Sequence, residues 1–332
     1  MEPVRAPQPT LLQAPFLQVE VAPACPVCAV EGSILHEGVR DGFGITGNAW
    51  AFRRCPSPLC GHVWLDPAPT PDDLPRAYDA YPVHGPDSPA PPTAGQGGLA
   101  GRMYLGSLRL AGVRSQRARL ETFRLPPGNG RRLLEVGCGN GGRLASLASL
   151  GYEVEGQEVA PAAVAVTAAR GRLVHYGELA QLGLPSASYD VVVMNHVLEH
   201  VRHSADFLRQ VHGLLRPGGL LISIQPNAAS RSHRVFGADW IGLDPPRHLH
   251  VFTPRSARAV VKAAGFNDVR VATTAIRREH WTRESLRRRA SRMGVALPRN
   301  LEAKASLSQV VGLLAVPFAR SAGDEIVIEA WR

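Results

Sequence analysis

The middle of the chain alternates between short apolar runs and segments whose apolar residues recur at helical spacing. Runs that predict strands cover 131–136, 152–160, 173–179, 189–197 and 220–227, and helix-like segments follow the first four of them. Further strand patterns at 266–274 and 324–332 flank a segment, 275–323, that we expect to be a helical insertion. Strands that alternate with helices build parallel sheets with right-handed crossovers. The pattern therefore predicts an α/β fold whose seven-stranded, mostly parallel sheet is covered by helices on both faces.

A glycine-rich segment, LLEVGCGNGG, lies at the first predicted strand-to-helix junction. Gly137, Gly139 and Gly142 satisfy the G-x-G-x-x-G spacing of dinucleotide-binding loops, so a nicotinamide or flavin cofactor has to be considered. Glu135, however, would repel a pyrophosphate in a poorly screened crevice and would attract the sulfonium and ammonium of S-adenosylmethionine. We therefore interpret Glu135 and the glycines, with Gly141 as the third, as an S-adenosylmethionine loop.

Two more residues near this loop are candidates. Glu158 ends the second predicted strand, where doubly wound sheets place an acid that binds a ribose diol. The alternative is a solvated charge at a strand end. Cys138 lies inside the cofactor loop and is interpreted as a small packing residue of that loop.

The order of the motifs LLEVGCGNG, VEGQE, YDVVVMNHVLEHV and LLRPGGLLISIQPN resembles class I S-adenosylmethionine-dependent methyltransferases, especially the bacterial group that includes ubiquinone-type O-methyltransferases. The resemblance covers about 125–275, and the segment 236–266 is similar to a subset with a cysteine-rich N-terminus. It implies a Rossmann-like fold. By this resemblance the cofactor residues are Glu135, Gly137, Gly139 and Glu158, with Glu178 as the acid near the adenine and Asn195 as a contact after the fourth strand. The family more often has Asp where Glu178 stands.

Four of the five cysteines form two pairs near the N-terminus: Cys25 with Cys28, and Cys55 with Cys60. Two such knuckles satisfy tetrahedral zinc, so we predict a structural zinc ion in a small, zinc-ribbon-like β module. The second knuckle is longer than usual, and His62 is a spare ligand. A redox-active cysteine pair is the alternative.

His196, Glu199 and His200 have the H-x-x-E-H spacing of an inverted zinc-peptidase helix. We reject a peptidase because this run begins at the end of the fourth predicted strand, in an order of strands and helices that resembles methyltransferases. Two interpretations stay open. The residues form a substrate-side cluster that holds a divalent ion and orients an oxygen nucleophile, or they are polar packing residues of a helix spanning about 197–215.

Methyl transfer from a sulfonium mainly requires alignment of the reacting atoms and exclusion of water. A hydroxyl acceptor also needs a base, and histidine is a natural supplier. The candidates are His196, His200, His248 and His250. A carbon acceptor or an acidic phenol would need no base.

The segment 228–252 follows the fifth predicted strand, where the crevice of a parallel sheet opens. We hypothesise that it forms an acceptor lid through Phe236, Trp240, Arg247 and His248. A surface excursion packed on the sheet is the alternative.

The 332 residues divide into a zinc module at 1–66, a Pro/Gly-rich linker at 67–98 and a methyltransferase domain at 99–332. We expect a short helix near 71–80 and a helix over 99–125 that lies across the cofactor site. No charged-then-apolar signal begins the chain, which predicts a cytoplasmic protein.

The net charge is +9, and the C-terminal residues 270–332 contribute twelve Lys or Arg against six Asp or Glu. This region is a solvated face, a surface for an anionic substrate or lipid, or an RNA-binding element. The apolar stretch 310–319 is too short to span a bilayer.

The leading functional hypothesis is methylation of a small molecule, an activated glycan or a secondary metabolite at oxygen or carbon. An rRNA or tRNA methyltransferase that grips RNA with the zinc module and the basic C-terminal region is one alternative. A noncatalytic S-adenosylmethionine-binding protein is another, although it would be expected to have a damaged cofactor loop.

Overall fold

The computed structural model describes residues 14–79, 81, 121–298, 300–315 and 321–332. The predicted linker beyond 81 and the predicted helix over 99–125, apart from its last five residues, lie outside the described residues. Within the predicted linker, a short 3-10 helix spans Leu74–Tyr78.

The N-terminal part is a small β module. Its strands are β1 (Val19–Glu20), β2 (Ser33–Arg40), β3 (Ala49–Arg54), β4 (Val63–Leu65) and β5 (Ala68–Pro69). Strands β2, β3 and β4 pair antiparallel in succession, and β1 pairs with β5.

The large sheet has seven strands. They are β6 (Arg132–Val136), β7 (Glu153–Glu158), β8 (Val174–Tyr176), β9 (Tyr189–Asn195), β10 (Leu215–Pro226), β12 (Asp268–Thr274) and β13 (Glu325–Trp331). Their order is β12-β13-β10-β9-β6-β7-β8, and β13 alone is antiparallel to its neighbours. The predicted α/β fold with a mostly parallel sheet is confirmed.

Seven α-helices belong to the described part of the chain. They are α1 (Gly142–Ser149), α2 (Pro161–Ala169), α3 (Ser204–Leu214), α4 (Arg231–Phe236), α5 (Pro254–Ala263), α6 (Arg278–Met293) and α7 (Leu301–Ala315). Proline opens α2 and α5 because its missing N–H is not needed in the first turn. Thr253 and Ser256 close a reciprocal capping box on α5. In the described ranges, no helix is both long and apolar enough to cross a membrane.

Strand β9 explains why its sequence is a continuous apolar run. Val191 and Val193 pack on one side of the sheet, whereas Val192 and Met194 pack on the other, and all four are at most 1% exposed. A strand covered on both faces needs apolar residues at every position. The polar residues that follow this buried strand lie at the carboxyl edge of the sheet, because the strand ends there.

The turn after β9 differs from the predicted helix over 197–215. His196 has a φ of 56°, Leu198–His200 form one 3-10 turn, and α3 starts only at Ser204. The left-handed backbone at His196 breaks the direction of the chain, so His196 does not share a helix face with Glu199.

A strand from the segment 228–252 extends the sheet of the small module. Strand β11 (His250–Val251) pairs antiparallel with β4, so the small sheet has the order β11-β4-β3-β2. Trp240 and Arg247, expected on an acceptor lid, are fully buried in this contact. The lid hypothesis is wrong for these two side chains, because the small module covers them.

Candidate active site

The glycine loop turns sharply between β6 and α1. Gly137, Gly139 and Gly141 have φ values of 66°, 55° and 72°, a region that side chains with a Cβ rarely adopt. A Cβ on Gly137 would also lie 2.5 Å from a methyl of Val197. The loop therefore requires glycine at these positions and exposes its backbone to a ligand.

Glu135 lies at the end of β6 and is only 1% exposed. Its Oε1 accepts a hydrogen bond from Arg143 Nη1 at 2.8 Å, while Oε2 has no hydrogen-bond partner among the described residues. Burial raises the pKa of Glu135, and the Arg143 guanidinium opposes that rise. A buried carboxylate oxygen without a partner fits a cationic group such as the ammonium of S-adenosylmethionine.

Glu158 is 3% exposed, which excludes a solvated strand-end charge. Its Oε2 accepts from the Gly139 amide at 2.8 Å, and its Oε1 accepts from the amides of Val159 and Ala160 at 2.7 and 2.9 Å. The carboxylate thus ties the glycine loop to the start of α2. Lone pairs left on these oxygens are compatible with the ribose role, which stays a prediction.

Two of the remaining predicted cofactor residues follow or end other strands of the same sheet, and the third lies in the glycine loop. Glu178 is exposed at the start of a 3-10 helix, and Asn195 is half-buried at the end of β9. The Cys138 sulfur would be 2.6 Å from a Cβ on Gly156, so this thiol fills space against β7. Burial raises its pKa to about 12, which keeps the thiol protonated.

Sequence reasoning missed Gln157. Its Oε1 accepts from the Gly137 amide at 3.2 Å, and its Nε2 donates to the Gly177 carbonyl at 2.7 Å. It connects the loop to the end of β8, but it carries no motif that would have identified it.

His196 lies between two buried carboxylates. Its Nδ1 is 3.0 Å from Glu199 Oε1, and its Nε2 is 3.0 Å from Glu325 Oε1. Although burial lowers the pKa of His196, the hydrogen bonds to both carboxylates outweigh this effect and raise it to about 9. The ring is therefore an imidazolium at neutral pH, with both N–H groups donating.

Glu199, His200 and His248 each bring one ligand atom within 4.8 Å of the others. The Nδ1 of His200 lies 3.1 Å from the Arg247 carbonyl and 3.0 Å from Tyr78 Oη, and His248 Nδ1 lies 2.9 Å from the Gly242 carbonyl. Because carbonyls only accept, we assign the hydrogen to Nδ1 in both rings. The Nε2 lone pair of each ring remains available.

Burial, followed by the charge of His248, lowers the pKa of His200 to about 3. Its imidazole is neutral at physiological pH and can bind a metal or accept a proton. Glu199 Oε2 is buried and has no hydrogen-bond partner among the residues described. The structure thus groups Glu199 and His200 with His248, rather than with His196 as the predicted ion cluster had it.

Arg247 anchors this region and is 0% exposed. Its Nη2 donates to Asp41 Oδ1 at 2.6 Å and to Asp244 Oδ1 at 2.9 Å, and its guanidinium lies over the Tyr81 ring. Since Asp41 and Tyr81 come from the N-terminal part, this ion pair fixes the small module against the segment that carries His248.

The four predicted zinc ligands meet at the other end of the small module. Sulfurs of Cys25 and Cys60 are 3.8 Å apart, those of Cys28 and Cys55 are 3.4 Å apart, and all four lie within 4.8 Å of one another. Tetrahedral zinc with sulfur at roughly 2.3 Å requires sulfur separations of about 3.8 Å. These cysteines could therefore hold zinc.

His62 and His250 pair with each other instead of entering either cluster. The Nε2 of His62 is 3.1 Å from His250 Nδ1, His62 Nδ1 is 3.3 Å from Ser256 Oγ, and His250 Nε2 is 3.0 Å from the Arg202 carbonyl. The spare-ligand role of His62 is thus wrong, because both of its nitrogens are engaged elsewhere.

The arginine-rich run is largely engaged in ion pairs. Arg289 and Arg292 both donate to Asp239, and Arg283 donates to Glu279 and Glu302. Guanidinium groups paired in this way do not form an open phosphate-binding track, so α6 gives no support to RNA binding.

Comparisons with known proteins identify a methyltransferase domain in this chain. A family described as "Methyltransferase domain" matches residues 110–271. The ubiquinone biosynthesis O-methyltransferase of Cereibacter sphaeroides is 32% identical over 155 residues, which cover 43% of this chain and 63% of that protein. The protein of the same name from Burkholderia thailandensis is 31% identical, with coverage of 43% of this chain and 67% of its own length.

A third relative, a probable S-adenosylmethionine-dependent methyltransferase of Mycolicibacterium smegmatis, is 41% identical over 41% of this chain and 52% of that protein. The aligned segments therefore span between about half and two thirds of the lengths of these relatives. The fold and the glycine loop define a class I S-adenosylmethionine-binding domain. The chain belongs to the S-adenosylmethionine-dependent methyltransferase family.

Proposed function

We propose that this chain transfers a methyl group from S-adenosylmethionine to a hydroxyl oxygen of a small molecule, with a glycan or secondary metabolite as the class of acceptor. The observation that carries the proposal is the buried Oε2 of Glu135 beside the glycine loop, which has no hydrogen-bond partner among the described residues. The relatives named as O-methyltransferases favour oxygen over carbon.

In this proposal, different residues bind different parts of the donor. Glu135 binds the ammonium group, and the backbone of Gly137, Gly139 and Gly141 lets the donor approach closely. Glu158 takes the ribose, Glu178 is the acid near the adenine, and Asn195 is a contact after the fourth strand of the predicted order.

The donor, when bound, supplies a methyl carbon on a positively charged sulfur; transfer forms one O–C bond, breaks one C–S bond and releases S-adenosylhomocysteine. The hydroxyl proton must leave as the new bond forms. His196 is poorly suited to take it, because a protonated imidazole has no free lone pair. The Nε2 of His200 has a lone pair, but a pKa of about 3 makes this nitrogen a weak base, which favours activation of the hydroxyl by a bound ion instead.

We also propose that Glu199, His200 and His248 hold a divalent ion. Two imidazoles and one carboxylate suit Mn²⁺, Fe²⁺, Co²⁺ or Zn²⁺ better than Mg²⁺. Such an ion would favour the deprotonated form of an acceptor hydroxyl. The Nδ1 contacts of both histidines to carbonyls would fix their rings for this purpose.

The four-cysteine cluster is proposed to hold a structural zinc ion. Burial raises the pKa of Cys25 to about 11, so a cation is needed to keep a thiolate there. Zinc at this position would stabilise the sheet that contains β11, and with it the segment 228–252, which carries His248.

The test is turnover with a panel of hydroxylated small molecules, with S-adenosylhomocysteine measured by mass spectrometry. For His200→Asn we expect turnover to fall by about 100-fold, as for loss of an acid-base or metal-binding group. Donor affinity should change by less than about 3-fold, because His200 lies on the acceptor side. His203→Asn, at an exposed histidine outside the cluster, is the matched control.

Full turnover by His200→Asn would contradict the proposed role of the cluster. Methylation of RNA alone, with a steep loss of activity between low and moderate salt, would contradict the small-molecule acceptor.

A further inference from the structure

We propose that Glu325 and His196 are positioning residues that set the orientation of Glu199 in the acceptor-side cluster. The inference rests on the proposed function of Glu199, His200 and His248. It concerns residues that do not themselves touch the ion or the acceptor.

The geometry of His196 is the first observation. The residue has a left-handed φ of 56°, and each of its ring nitrogens lies 3.0 Å from a buried carboxylate oxygen. Glu199 and Glu325 are 0% and 1% exposed. A ring held at both nitrogens cannot rotate without losing a charged hydrogen bond to a buried carboxylate.

The second observation is how the two oxygens of Glu199 are used. Oε1 accepts from His196, which leaves Oε2 without a hydrogen-bond partner in the described part of the chain. Glu199 also provides the carboxylate atom of the group with His200 and His248. His196 therefore occupies one oxygen of Glu199 and leaves the other for a ligand of the cluster.

The topology explains why Glu325 can reach this place. Strand β13 runs antiparallel to its neighbours, so its first residue lies at the edge where the parallel strands end. Glu325 is opposite Pro226 on one side and Thr274 on the other. Trp281, with its ring centroid 6.0 Å from that of His196, packs near the same ring. The antiparallel strand thus delivers a carboxylate to the site from 129 residues away.

The experiment measures Mn²⁺ binding by electron paramagnetic resonance on the full chain loaded with one equivalent of zinc. The four thiolates take this zinc in preference, whereas Mn²⁺ prefers oxygen and nitrogen ligands. Glu325→Ala should weaken Mn²⁺ binding by about 10-fold or more, as for other residues that orient a metal ligand. Glu325→Gln should stay within about 3-fold of wild type, because its amide oxygen can accept the same hydrogen bond from His196. Glu329→Ala, on the same strand, is the matched control.

Affinity for S-adenosylmethionine, measured on each variant, reports whether the domain is folded. If Glu325→Ala no longer binds the donor, His196→Asn replaces it, because asparagine tolerates a left-handed backbone. This variant should also weaken Mn²⁺ binding by about 10-fold or more.

Wild-type affinity for Mn²⁺ in a folded Glu325→Ala or His196→Asn variant would overturn the positioning role and leave the ion site standing. Failure of the wild type itself to bind Mn²⁺ would overturn both the ion site and this inference. Methyl transfer measured on the same sample tests the proposed methyltransferase activity independently of the ion site.

Discussion

The donor side and the acceptor side of this site are built in different ways. On the donor side, Glu135, the glycine loop and Glu158 belong to one strand-loop-helix-strand unit. Glu158 accepts from the Gly139 amide, and Glu135 accepts from Arg143 of the helix that follows the loop. On the acceptor side, the contacts join Tyr78 to His200 and Glu325 to His196, across 122 and 129 residues of chain. The donor side is therefore a local structure, whereas the acceptor side depends on how distant segments pack.

This difference predicts that damage to the small module separates the two sides. Cys55→Ser removes one sulfur of the cluster and should release zinc, whose binding to small domains is worth on the order of 10 kcal/mol. We expect acceptor turnover to fall by more than about 100-fold, while affinity for S-adenosylmethionine changes less than about 3-fold. Metal analysis, turnover and calorimetry on the same sample measure the three effects.

The matched control is Cys138→Ala, which removes the cysteine outside the zinc cluster. It should retain zinc, because Cys138 lies in the cofactor loop and not in the four-cysteine cluster. A Cys55→Ser protein that keeps full turnover would show that the acceptor side does not depend on the module.

A smaller effect is expected at the buried ion pair that joins the module to the segment 228–252. Arg247→Ala leaves Asp41 and Asp244 buried without their cation, which typically destabilises a protein by about 3–5 kcal/mol. Urea unfolding measures this loss. Arg209→Ala removes an exposed guanidinium that pairs with Asp206 three residues away, so its loss should be much smaller. Equal losses in the two variants would contradict the anchoring role of Arg247.

The smallest effect concerns pH. His36 Nε2 and His233 Nε2 are 2.9 Å apart, and burial lowers the pKa of His233 to about 4. Because the unfolded chain protonates this histidine near pH 6.5 and the folded chain does not, the free energy of unfolding should fall as the pH drops from about 6.5 toward 4.

His233→Gln should flatten this slope by up to roughly 1.4 kcal/mol per pH unit, measured by unfolding at several pH values. His203→Gln, at an exposed position, should leave the slope unchanged. A wild-type slope in the His233 variant would mean that His233 titrates alike in both states.

The sequence was sufficient to predict the sheet and the position of the glycine loop, because their signals are local. A continuous run of apolar residues predicted β9. The short spacing between Glu135 and the glycines predicted a single turn between a strand and a helix. The order of strands and helices then constrained the topology. None of these inferences required knowledge of which distant residues meet.

The acceptor side could not be predicted in the same way. The H-x-x-E-H spacing fits a helix, but it also fits a strand end followed by a 3-10 turn. No Pro or Gly lies between His196 and His200 that would distinguish these two structures in the sequence. Glu325 carried no signal, because its role arises from the register of an antiparallel strand. Trp240 and Arg247 were expected at a surface that the N-terminal module covers.

Calorimetric titration of the metal-loaded wild type and of Glu135→Gln tests most directly whether Glu135 Oε2, which has no hydrogen-bond partner in the described ranges, selects a cationic donor. We expect the wild type to bind S-adenosylmethionine and not NAD, and Glu135→Gln to weaken donor binding by about 10- to 100-fold, as for loss of a charged hydrogen bond. Tight binding of NAD without the methyl donor, or unchanged donor affinity in Glu135→Gln, would contradict it.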